Sequence, residues 1–192
     1  SIFESEKTYI RAQIQAGALD PNDEKSMEVF RGQFIFEKAN VEAFEKVIRW
    51  CVENLPSHKI VIRPHPAEKK ERWQEFAADL PNVVLAFDTP HLPWMLASDV
   101  VVHTNSTTGM EAAMMGKVTV NLMPLRQEHW SNLYITSRVN PTFHEVEDAT
   151  TALSEFLVHG RGRLCDLAAG LEQMKRYFPN LDRYLVAEAM VK

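Results

Sequence analysis

The chain has 192 residues, 45% hydrophobic and 24% charged, with 21 Lys and Arg against 26 Asp and Glu. That is ordinary globular composition, with length for one or at most two domains and a real core. The formal net charge of -5, without any continuous basic face, excludes a general nucleic-acid binder. No apolar run approaches the roughly 20 residues that cross a bilayer.

Helix is expected from about Glu6 to Ala16, followed by a break over Gly17 to Pro21. Asp20-Pro21-Asn22-Asp23 reads as a turn that leads into a new helix. Met27, Phe30, Phe34, Val41, Phe44, Ile48, Cys51 and Leu55 then recur at helical spacing. One long helix satisfies that pattern, as do two helices broken near Asn40, and Gln33 to Phe36 also reads as a short strand. The aromatic residues are expected to serve as core or domain contact. Residues 1–57 are thus an N-terminal helical segment that packs on, or leads into, a domain over 58–192.

Pro56 ends the helical pattern, and Lys59-Ile60-Val61-Ile62-Arg63 reads as a buried strand that runs into Pro64-His65-Pro66. Each proline ring locks its own φ and restricts the residue before it. His65 is therefore held where the chain leaves the strand, with Arg63 two residues earlier. A turn histidine without a ligand is the plain alternative; the stiffened backbone favours a binding role. An amphipathic helix follows from Glu68 to Leu80, with Trp73, Phe76, Ala77 and Leu80 inward, then a strand at Val83-Val84-Leu85. After the loop Asp88 to Pro93 a short helix is expected from about Trp94 to Ser98. His91 and Trp94 suit either a nucleobase or the core.

The most informative stretch is Asp99 to Leu122, DVVVHTNSTTGMEAAMMGKVTVNL. Val100, Val101 and Val102 form a β-branched run expected in a buried strand. Thr104 to Thr108 are five consecutive polar residues. Gly109 to Met115 is rich in helix formers, Gly116 is placed to stop the helix, and Val118-Thr119-Val120 is the next strand. Thr108 and Glu111 fit the S/T-x-x-E capping box, a purely structural reading. The remaining hydroxyls are not needed for a cap. They stand at a helix start with unpaired N–H groups, at the carboxyl end of a strand, where α/β sheets hold ligands. Three successive strand–helix steps predict a Rossmann-like, doubly wound, mainly parallel α/β sheet, with extra helices at both ends. Ile60, Val61, Val84, Val101, Val102 and Val120 are expected in adjacent buried strands of that sheet, and His65 and the Ser106–Thr108 loop at one cleft.

Met123 to Trp130 is a further loop, whose Arg126, His129 and Trp130 suit either closure over a ligand or simple solvation. A short strand is expected at Tyr134-Ile135-Thr136 and helices at Asp148–Val158, Arg163–Tyr177 and Leu181–Val191. Cys51 and Cys165 lie in helical patterns without metal-ligand spacing, which favours a reduced, cytoplasmic protein. No signal peptide is visible. The start at Ser1-Ile2-Phe3, without Met, suits a processed protein or a piece of a longer one.

The ordered pair RPHP, at Arg63 to Pro66, and HTNSTTGMEAAMMGKVTV, at His103 to Val120, resembles the C-terminal half of GT-B-fold glycosyltransferases of bacterial surface-carbohydrate synthesis. The likeness is to the Kdo transferases of capsule and lipopolysaccharide and to bacterial sialyltransferases. It covers about residues 59–122. It implies a nucleotide-sugar donor, of the CMP-sugar kind, as substrate, with no other cofactor. His65 and Pro66 match the HP motif, Ser106 and Thr107 match the hydroxyl motif at the donor phosphate, and Glu111-Ala112 matches an acidic step whose acid meets a ribose. Arg63, His103, Asn105, Thr108 and Gly109 complete the expected donor site.

The mechanism that the resemblance implies is electrostatic. Donors near Thr107 to Gly109, the Ser106 and Thr107 hydroxyls, and His65 or Arg63 would stabilise charge on the leaving phosphate. His65 is thereby the one catalytic group expected in this chain. There is no DxD motif or carboxylate cluster for Mg²⁺. His65 and His103 lack further zinc ligands at suggestive spacing, so no metal is expected. A GT-B enzyme has two Rossmann-like halves and its base usually lies on the other, so this chain departs from the pattern by being too short for both. It is then expected to be inactive alone, to meet its glycan or glycolipid acceptor through the missing half, and to be cytoplasmic or peripheral at the inner membrane. A CDP-glycerol-type polyol-phosphate transferase, a UDP-sugar 2-epimerase-like domain and a non-catalytic interaction module are the alternatives.

Overall fold

The computed structural model describes residues 5–65, 68–125, 136–165, 172 and 174–178. The chain falls into two compact units, Ser1–Phe87 and Asp88–Lys192, and it is of mixed α/β class. No helix among the described residues is long and apolar enough to cross a membrane.

The first unit opens with α1 (Glu6–Gln15), capped by the Ser5 side chain, which accepts from the Thr8 N–H. Asp23 caps α2 (Glu24–Asn54) by accepting from the N–H groups of Lys25 and Ser26. The helical spacing continues unbroken through Asn40, so one long helix forms and Gln33 to Phe36 lies inside it. Tyr9, Ile10, Leu19 and Phe34 form the buried contact between α1 and α2. β1 (Ile60–Ile62) and β2 (Val83–Leu85) pair in parallel, Val61 opposite Val84. They are joined through α3 (Lys70–Ala77), shorter at both ends than the predicted helix. Ile48 of α2, Ile62 and Trp73 make the core beneath them.

This strand pair corrects one expectation. Val61 and Val84 are 38% and 39% exposed, because Ile60 and Ile62 point toward the helices and the residue between them points away. The sheet is covered on one face. Nor do the predicted strands share a single sheet: β1–β2 is one, and the strands of the second unit form another.

In the second unit α4 (His91–Ala97) begins three residues before the expected Trp94, directly after Pro90. β3 (Val100–His103), α5 (Thr107–Met114) and β4 (Val118–Leu122) give the strand–helix–strand step predicted. Gly116, at φ +70°, follows the end of α5 as expected. α6 (Thr136–Val139) and β5 (Thr142–Phe143) come next. Thr136 thus opens a helix rather than closing a strand, and β5 has no counterpart in the sequence reading. α7 (Val146–His159) then ends at Gly160, in the left-handed conformation at φ 61°. A 3-10 turn follows at Arg163–Cys165, where an α-helix was expected to begin.

The sheet order is β3-β4-β5, all parallel. β4 is central and buried at every residue, as a parallel strand covered on both faces should be. The predicted ligand loop with Arg126, His129 and Trp130, the expected helix over 181–191, and Pro66 of the RPHP step lie outside the described residues.

Candidate functional site

At the end of β3 the chain turns through one residue in the left-handed region. His103, the last strand residue, is 4% exposed, and Thr104 and Asn105 follow it. Asn105 takes φ 45°, unusual for a residue other than glycine. Its N–H donates to Asn121 Oδ1 on β4 at 2.7 Å. Its own Oδ1 accepts from Thr136 Oγ1 at 2.8 Å. Behind this pair, Asn121 Nδ2 donates to Thr142 Oγ1 at 3.1 Å and Thr119 Oγ1 donates to Asn140 Oδ1 at 2.6 Å. The buried side-chain network ties three strand ends and α6 to one backbone conformation, which overdetermines the strained Asn105.

α5 then starts two residues earlier than the capping-box pattern implied. Ser106 is the N-cap, and its Oγ accepts from the Thr108 N–H at 3.2 Å. Thr107 and Thr108 are the first two helical residues. The Thr108–Glu111 box is therefore corrected: the extended conformation that a cap requires is at Ser106, whereas Thr108 is already helical. Glu111 pairs instead with His91 at the start of α4, with Nε2 to Oε2 at 2.6 Å. Both side chains of that pair are part-exposed.

Gly109 is buried against His103, and a Cβ on it would lie 2.1 Å from the ring Nε2. Burial alone pushes the His103 imidazole down to about 4, so the ring is neutral at pH 7. Its Nδ1 and Nε2, together with Thr104 Oγ1, are buried without a hydrogen-bond partner among the described residues. Such groups usually cost about 1–3 kcal/mol each, which makes this helix start the candidate site. At the far side of the same sheet edge, His144 donates from Nδ1 to the Met123 carbonyl at 2.6 Å.

The RPHP step belongs to the first unit. Arg63 and His65 are exposed at the carboxyl end of β1, and Pro64 is buried. The His65 N–H donates to Glu68 Oε1 at 3.1 Å, and the Glu68 N–H donates back to the His65 carbonyl at 2.8 Å. Trp73 Nε1 donates to the other Glu68 oxygen at 2.7 Å. Glu68 thus fastens the loop to α3. In the same unit burial raises the pKa of the Glu37 carboxyl, and the charges of Glu68 and His65 also reach it. Gln33 donates to Glu37 Oε1 at 3.1 Å, and Tyr9 donates to Gln33 at 3.0 Å.

Of the predicted site residues, the structure gathers His103, Asn105, Ser106, Thr107, Thr108, Gly109 and Glu111 at one strand end and the helix it feeds. Arg63 and His65 occupy the strand end of the first unit. Sequence reasoning missed Asn121, Thr136, His144, Glu68 and Glu37. Glu68 alone left a signal, an acid three residues after His65; the others act across the fold from positions without a local pattern. No group of three His, Cys, Asp or Glu among the described residues is arranged to hold a metal ion. Comparison with protein-family models, curated proteins and solved structures finds no match for this chain.

Proposed function

We propose that this chain is the donor-binding part of a GT-B glycosyltransferase of bacterial surface-carbohydrate synthesis. Its substrate in this reading is a CMP-sugar of the Kdo or sialic acid kind. One observation carries the proposal: the β3–α5 turn, in which a strained Asn105 and three buried polar atoms without a partner among the described residues stand at a capped helix start. The polarity of that helix end and its hydroxyls suit a phosphate. The Ser106 oxygen accepts from Thr108 while its own proton stays available to donate. The neutral His103 adds a hydrogen bond but no charge, so the leaving phosphate is stabilised by fixed dipoles. The fold that goes with this reading is Rossmann-like, and parallel strands with helices between them, within each unit, support it.

Binding, not turnover, is the activity expected of this chain alone; the acceptor and the base belong to another part of the enzyme, which is cytoplasmic or membrane-peripheral. Calorimetric titration with CMP, UDP and CDP-glycerol tests the proposal. Preference for CMP supports it. Preference for UDP or CDP-glycerol replaces it with an epimerase-like or polyol-phosphate reading, and no binding with an interaction module.

A further inference from the structure

We propose that His144 contacts the ligand of the β3–α5 site, accepting a hydrogen bond from a ligand sugar hydroxyl at Nε2. The inference rests on the donor-binding reading above, but its own observation is independent of it. A carbonyl oxygen can only accept, so the 2.6 Å contact between Nδ1 and the Met123 carbonyl requires the proton on Nδ1. When the ring is neutral, Nε2 then carries the lone pair. The half-buried side chain is held in one tautomer by the backbone of the neighbouring strand.

The register places His144 at the same sheet edge as the β3–α5 turn. His103, Asn121 and Thr142 form one row across β3, β4 and β5. His144 stands two residues past that row, as Asn105 does on its own strand, and Met123 stands between them. Two strand spacings separate the ends of β3 and β5, about 10 Å. A phosphate alone is too small to span that edge, whereas a sugar attached to a phosphate at α5 is long enough to reach across it. A neutral Nε2 repels a phosphate oxygen and accepts from a hydroxyl, which gives His144 a partner chemistry different from that of Ser106.

The test combines side-chain ¹⁵N NMR of the 192-residue chain with calorimetry, using CMP and CMP-N-acetylneuraminate as probes. At pH 8 the free protein should show His144 protonated on Nδ1 and not on Nε2; the opposite tautomer overturns the inference without any ligand. On titration the Nε2 resonance should move. A shift with CMP assigns the contact to the ribose, and a shift with the CMP-sugar alone assigns it to the transferred sugar. Binding with Nε2 unmoved by both probes overturns the inference and leaves the donor site standing. Failure of both probes to bind overturns the donor-binding reading, and this inference with it. His144→Asn retains an N–H able to reach the Met123 carbonyl but lacks Nε2. It should melt as the parent does and bind about fivefold more weakly, the net value of one hydrogen bond; unchanged affinity counts against the contact.

Discussion

His103 and Gly109 are in direct contact across the turn from β3 to α5, so close that the position of one ring decides the residue type six places later. A Cβ at position 109 would meet the His103 Nε2 at 2.1 Å. In an open helix Gly→Ala gains about 1 kcal/mol of propensity. Here overpacking, typically about 1–3 kcal/mol, opposes and exceeds it. Gly109→Ala should therefore lower the melting temperature. A double-mutant cycle with His103→Ala should show coupling of about 0.5–3 kcal/mol; additive effects would mean that the contact is absent.

Ser106, not Thr108, caps α5. Ser106→Ala should cost roughly 0.5–2 kcal/mol of stability, whereas glycine at a cap costs only a few tenths. Thr108→Ala should stay within about 0.5 kcal/mol. Ser106→Gly therefore separates the two roles of this hydroxyl. It should melt nearly as the parent does yet bind CMP about 1.5–3 kcal/mol more weakly, as expected for a lost bond to a charged group. Parent-like affinity in Ser106→Gly would confine Ser106 to capping.

The buried His103 makes stability depend on pH. Folded, it protonates only near 4 because burial disfavours its charged form; unfolded, it protonates near 6.5. Between those values the unfolded chain binds the extra proton, so stability is complete above about 6.5 and falls as pH drops toward about 4. The gap corresponds to roughly 3 kcal/mol. Glu37 acts in the opposite sense, since burial raises its pKa: its contribution is present below the unfolded carboxyl value and is lost as pH rises through the folded one. Melts of the parent and of His103→Leu from pH 4 to 7 isolate the histidine. The parent should lose stability relative to His103→Leu as pH falls from 7 to 4, and a constant difference would refute the assignment.

Glu111 meets His91 through Oε2, with both side chains part-exposed. An exposed pair of this kind is worth about 0.2–1 kcal/mol, so His91→Ala and Glu111→Gln should change stability little. If the acid also meets a ribose, Glu111→Gln should reduce the preference for CMP over its 2′-deoxy form. Equal preference in parent and variant would leave Glu111 with His91 alone.

In the first unit Glu68 holds both the His65 N–H and the Trp73 indole N–H. Glu68→Ala should destabilise by about 1–3 kcal/mol, since the part-buried indole loses its acceptor. His65→Ala should leave the melt nearly unchanged and weaken CMP binding if its imidazole meets the donor. Loss of stability in His65→Ala without loss of affinity would make it a structural loop residue.

What the sequence by itself determined is local. The helical spacing from Met27 to Leu55, the β-branched run at Val100 to Val102, and Gly116 after α5 each act through neighbouring backbone. Those elements stand where periodicity and turn chemistry put them. The candidate turn was legible for the same reason, since a run of hydroxyls between a strand and a helix start is a local pattern. Only the tertiary structure decided which hydroxyl caps the helix, because extended geometry at Ser106 depends on Asn105 being held in the left-handed region by Asn121 and Thr136, 16 and 31 residues away. It likewise decided that β1 and β2 form a separate pair with Val61 and Val84 exposed, and that a two-residue β5 brings His144 against Met123. Apolar runs record a preference for burial but not which face a neighbour covers, and a strand of two residues has no period to read. Those outcomes are set by packing between segments distant in the chain.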